Sequence, residues 1–131
     1  GEASARAVLA RVEAELGRTE ECRKEASQAR TQAAKSQNRG FRLAMTIECA
    51  RLLGRTAEEE RSAALEALAR AQAEAERAGL VPQVLEARLA RAEIEARWAP
   101  DEGRPLLVEL QKDAEARGFK RIAGLAAAAS R

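Results

Sequence analysis

The chain has no histidine and no tyrosine, and aromatic residues make up only 2% of its 131 positions. Without histidine, the commonest acid–base side chain and metal ligand is missing. There is no Cys-x-x-Cys and no glycine-rich phosphate loop, so neither a zinc site nor a nucleotide cradle is spelled out. β-Branched residues are few, and no segment alternates apolar and polar residues as a strand would. No stretch reaches the roughly eighteen uninterrupted apolar residues of a membrane span, and the N-terminus lacks the apolar core of a signal peptide. An excess of charge is lacking too. The 23 basic and 21 acidic residues are interspersed and leave a net charge of +2, which argues against a dedicated nucleic-acid surface and against a basic lipid-binding face. The acidic clusters Glu20-Glu21 and Glu58-Glu59-Glu60 read as solvated first-turn residues rather than an acid–base pair. These absences predict no enzyme, no cofactor and no metal, and leave a protein or peptide as the partner.

What remains is helix. Alanine dominates, followed by Leu, Arg, Glu and Gln, the strong helix formers. The chain reads as all-α and as one domain, 1–131, large enough for its own core. It starts with Gly rather than Met and reads as a piece of a longer protein. The most apolar helix, Phe41–Leu53, carries Leu43, Met45, Ile47, Cys49, Ala50, Leu52 and Leu53 all round its circumference. That pattern predicts a central, buried helix with Met45, Ile47 and Leu52 largely covered.

The other helices follow from stripes and stop signals. Ala3–Leu16 has the stripe Ala5, Val8, Leu9, Val12 and Leu16 and ends at Gly17. Thr19 then caps a helix to about Asn38 with the stripe Cys22, Ala26, Ala29 and Ala33, ended by Gly40. Gly54 ends the central helix, and Thr56 with Glu59 forms a capping box for the next. That fourth helix packs with Ala64, Leu65, Leu68, Ala71 and Ala75, exposes the ladder Glu66, Arg70 and Glu74, and ends at Gly79. Pro82–Trp98 has two stripes, one of Val81, Leu85, Leu89, Ala92 and Ala96, the other of Ala87, Ile94 and Trp98, and therefore neighbours on two sides. Asp101 caps a sixth helix packing with Leu106, Leu107, Leu110 and Ala114. The last helix, Phe119–Ser130, is nearly all alanine, and Ala123, Ala126 and Ala127 offer a smooth surface to another helix.

Cys22 and Cys49 are too few for a disulfide framework. With a hairpin turn at Gly40, position 49 faces about position 31, which leaves Cys22 some nine residues, or about 13 Å, out of register. Two buried thiols in a reducing, cytoplasmic compartment are expected.

Gly40, Gly79 and Gly118 recur every 39 residues, each followed by Phe or Leu, and Leu-Gly-Arg-Thr occurs at both 16–19 and 53–56. A single helical hairpin cannot bury both faces, but stacked hairpins can, so the period favours a solenoid over a simple bundle. The segments LGRTEEC and LLGRTAEEE resemble the junction between helices A and B of the tetratricopeptide repeat family. The 39-residue period is longer than that family's usual 34 or so and is similar to the long repeats of MalT-like regulators. The aromatic residues usual in helix A are replaced by Ala and Arg.

The resemblance implies a right-handed αα-hairpin solenoid: three helix pairs at about 1–39, 40–78 and 79–117, and a C-terminal capping helix, 118–131. It also implies a protein-interaction scaffold within a larger bacterial signalling or regulatory protein. The alternative is a ligand-sensing or self-associating region of a MalT-like regulator, with homo-oligomers formed through the repeat ends. In either case the groove lies on the first helix of each pair. Its polar positions are Arg11, Glu15, Glu48, Arg51, Arg88, Arg91 and Glu95.

Overall fold

A computed structural model describes all residues, 1–131. It contains seven α-helices and no strand: α1 (Glu2–Glu15), α2 (Thr19–Ala33), α3 (Arg39–Thr56), α4 (Arg61–Ala78), α5 (Val81–Trp98), α6 (Pro100–Ala116) and α7 (Lys120–Ser130), with one 3-10 turn at Glu58–Glu60. The links between helices are short, and each helix packs on the next, so successive helices run antiparallel. The odd-numbered helices also touch one another in sequence, α1 to α3, α3 to α5 and α5 to α7, while the even-numbered ones form no comparable row. The molecule is an array with the odd helices side by side on one face.

Burial explains the arrangement. The interior consists of three clusters, each built from an odd helix, the following even helix and the next odd helix. Ala7, Ala10, Cys22, Ala26, Ala29, Cys49 and Leu52 join α1, α2 and α3. Leu43, Ile47, Ala50, Leu68, Ala87 and Ile94 lie at the heart of the cluster joining α3, α4 and α5. Leu85, Leu89, Leu107, Leu110, Ile122 and Ala126 do the same for α5, α6 and α7. Helices α3 and α5 therefore each serve two cores, as the all-round apolar pattern of one and the two stripes of the other require.

Several boundaries differ from the sequence expectation, each for a local reason. Helix α2 stops at Ala33, not Asn38, and Asn38 instead caps α3 by accepting from the Phe41 N–H at 2.8 Å, which places Gly40 inside α3. The turn thus falls earlier than Gly40. This brings position 49 opposite the Cys22 region, and both thiols lie in one core, free and buried. Met45 is only half-buried at the edge of that core.

Gly54 does not end α3. It is buried within it, and a Cβ there would lie 2.4 Å from Ile94 Cδ1 and 2.9 Å from Ala64 Cβ. The helix runs on to Thr56, whose hydroxyl donates to Leu52 O at 2.6 Å, so the expected capping box with Glu59 does not form. Asp101 is not a cap either. Helix α6 begins at Pro100 after the single residue Ala99, and Asp101 sits in its first turn, where the helix dipole favours it. Leu106 faces solvent, although it was expected in the packing stripe.

Both terminal helices use alanine in their packing, α1 alone and α7 together with Ile122. In α1 the buried face is Ala3, Ala7 and Ala10, and the expected stripe is turned out, with Leu9 and Leu16 48% and 58% exposed. In α7, Ala123 and Ala126 are buried in the array instead of forming an outer surface.

Three links share one geometry. Gly17, Gly79 and Gly118 have φ of 71°, 71° and 82°, the left-handed region that glycine enters without cost. At each, the glycine N–H and the next N–H bond back to the carbonyls of the final helical turn: Leu80 to Ala75 at 2.9 Å, Phe119 to Ala114 at 2.8 Å and Arg18 to Glu13 at 2.8 Å. This is the Schellman arrangement. Gly79 and Gly118 open α5 and α7 in the same way, and the link before α3 is built differently.

A candidate protein-binding groove on the odd-helix face

The floor of the odd-helix face is concave because α1, α3, α5 and α7 are bridged there by small or half-buried side chains. Two cavities lie along it. One, of about 620 Å³, is lined by Ser4, Ala7, Val8 and Arg11 of α1, by Ala44, Met45, Ile47, Glu48 and Arg51 of α3, by Pro82, Gln83 and Glu86 of α5, and by Arg121 of α7. The other, of about 510 Å³, continues toward the C-terminal ends of these helices and includes Glu15, Thr19, Arg55, Thr56 and Arg97. Arg11, Glu48 and Arg51 line both, so the two are parts of one groove.

The groove floor is tied by charge. Arg51 Nη2 donates to Glu93 Oε2 at 2.9 Å, linking α3 to α5. Arg51 Nε lies 2.7 Å from Glu93 Oε1, but without hydrogen-bond alignment, so that second contact is ionic only. Arg55 approaches the same carboxylate at 3.8 Å, and Glu48 approaches Arg51 at 3.9 Å. Arg121 pairs with Glu86 across α7 and α5. Two groove cations have no carboxylate partner. Arg11 is exposed on α1, and the Arg97 guanidinium stands 4.4 Å over the Trp98 ring. Trp98 in turn donates its indole N–H to Gly54 O at 2.6 Å, satisfying a carbonyl left open at the end of α3.

The seven polar positions singled out from the sequence divide between two places. Arg11, Glu15, Glu48 and Arg51 line the groove. Arg88, Arg91 and Glu95 do not. They border a separate cavity of about 310 Å³ between α4, α5 and α6, together with Leu65, Gln72 and Leu106. There they act as inter-helix ties: Arg88 to Asp113 at 2.8 Å, Arg91 to Gln72 at 2.8 Å and Arg61 to Glu95 at 2.8 Å. Helix α5 carries polar residues on two sides because it packs on two sides. The residues it presents to the groove are Pro82, Gln83, Glu86 and Arg97. The spacing of α5's two apolar stripes was the signal that could have separated the two polar strips.

Nothing in the groove forms a metal-binding cluster, and no helix is long and apolar enough to cross a membrane. The thiols lie away from the groove, in the first core. Burial pushes Cys49 up to about 11 and also raises Cys22, where the neighbouring Arg23 opposes it. Both are thus protonated and poorly nucleophilic near neutral pH. No family model matches the chain, and neither a curated protein nor a solved structure is found to be similar to it.

Proposed function

We propose that the chain is a protein-interaction module, a tetratricopeptide-like right-handed αα-hairpin solenoid whose odd-helix groove holds an extended or helical segment of another protein. The observation that carries this reading is the groove itself. It is continuous over four helices, lined on every one of them by odd-helix side chains, and mixes apolar floor (Ala7, Val8, Ala44, Met45) with polar rim (Arg11, Gln83, Glu86). That is the composition of a recognition surface with an apolar centre. The free, buried cysteines suit a reducing compartment such as the cytoplasm.

Arg51 and Arg88 are poor probes of binding because both hold helices together. Arg11 and Met45 are better, since neither carries an internal ion pair. Peptides selected from a random display library on the intact chain should lose binding to Arg11→Glu and Met45→Glu. They should keep it with Arg70→Glu, whose exposed pair with Glu66 lies on α4. Selected peptides that bind all three variants equally would refute the groove assignment.

A further inference from the structure

The odd-helix row is open at both ends, and its two end faces differ in complementary ways. On α1 the face turned away from α2 and α3 presents Ala5, Leu9, Val12 and Leu16, with Val12 43% exposed. These positions fall on one stripe by helical spacing, a ridge of large side chains with nothing of this chain over it. On α7 the face turned away from α5 and α6 presents Gly124 and Ala128 between Lys120 and Arg131, a shallow furrow.

Gly124 is the informative residue. Besides Gly40 in the first turn of α3, three glycines lie within helices. Two of them have an internal cause: Gly54 is where Ile94 approaches, and Gly103 is where a Cβ would come within 2.1 Å of Ala96 N. A Cβ at Gly124 would meet nothing within 4 Å. Helix α7 therefore accepts the propensity penalty of a mid-helix glycine with no close approach inside the molecule to account for it. Charge matches as well. After Glu115 the chain has no acidic residue and four basic ones, Arg117, Lys120, Arg121 and Arg131. Glu2, with its side chain 59% exposed, begins α1, and the exposed Lys120 begins α7. Odd helices run parallel within the row. A parallel docking of α1 on α7 would thus place Glu2 beside Lys120 at the N-terminal ends, with the ridge over the furrow and the basic end of the chain around it.

We propose that α7 of one copy receives α1 of a second copy, extending the odd-helix row head to tail. Such an interface is heterologous, so it leaves a free face at each end and grows beyond the dimer. It does not depend on what the groove binds.

Sedimentation of the chain from micromolar to near-millimolar concentration should show a mass that keeps rising past the dimer. Two variants then separate the possible pairings. Leu9→Lys with Val12→Lys blocks the α1 face, and Gly124→Arg blocks the α7 face. Both leave the buried positions untouched, and unchanged circular dichroism verifies that each is folded. Each variant alone should be monomeric, and an equimolar mixture should form a one-to-one dimer and nothing larger, because one intact face remains on each. A wild-type monomer at every concentration would overturn the proposal. So would association of the Gly124→Arg variant by itself, which would mean α1 pairing with α1, and so would a mixture that stays monomeric.

Discussion

Single residues show where neighbouring backbones set the limits. Gly103 faces main-chain atoms of Ala96 and Glu95, which cannot step aside, whereas Gly54 faces mainly the flexible end of Ile94. Gly103→Ala is expected to destabilise by about 3 kcal/mol or more through overpacking, despite its better helix propensity. Gly124→Ala, in open space, is expected to stabilise the monomer by roughly 0.5–1 kcal/mol. Urea unfolding of the two variants would measure both, and equal effects would show that the α5–α6 approach is not tight.

The cysteines set the pH behaviour. Cys49 is raised in the folded state, so its contribution is fully present below the unfolded thiol's pKa and is lost as pH climbs toward about 11. Stability should fall by about 2–3 kcal/mol over that window, and Cys49→Ala should flatten the decline. Between pH 5 and 8 a chain without histidine lacks the side chain that ordinarily changes charge in that range, so stability should be nearly level there. Both thiols should resist alkylation until denaturant is added.

At the scale of helices, the sequence was most legible where a helix offers its neighbours no competing apolar face. The two stripes of α5 fall in two separate cores as their spacing requires, and the α2 stripe of Cys22, Ala26, Ala29 and Ala33 is buried throughout. It was least legible where alanine competes with leucine. In α1 the hydrophobic pattern points to Val8, Leu9, Val12 and Leu16, but a close helix crossing selects the small face, so the large residues are left outside.

The repeated Leu-Gly-Arg-Thr shows the limit of local reading. At 16–19 it is a left-handed glycine turn, and at 53–56 it stays helical because the packing of Ile94 and Ala64 and the bond from Trp98 hold Gly54 in α3. Four of the seven suggested polar residues line the cavities on the odd-helix face, and the other three border the cavity between α4, α5 and α6, because α5 has two polar strips. Ile47, 3% exposed between α3, α4 and α5, should cost about 2–5 kcal/mol as Ile47→Ala. Leu9→Ala on the outer face of α1 should change the monomer's stability by no more than about 0.5 kcal/mol. Comparable melting shifts for the two would mean that α1 is packed the other way round.

For the whole molecule, stability is divided among three cores that share only α3 and α5. The first is the weakest, being built of alanine and cysteine with Leu52 as its one large buried residue. The other two contain every fully buried Leu and Ile. In an array of this kind each helix depends on its neighbours alone, so the α1–α2 pair should open locally before the remainder. The most direct test is the piece 37–131, which removes α1 and α2 but retains the Asn38 cap and two complete cores. An array of neighbour-dependent cores predicts that this piece remains helical and unfolds cooperatively, with dispersed amide resonances for α4 to α7 little changed from the full chain. A piece that is unfolded, or helical without cooperative melting, would contradict it and show that all seven helices share one interdependent core.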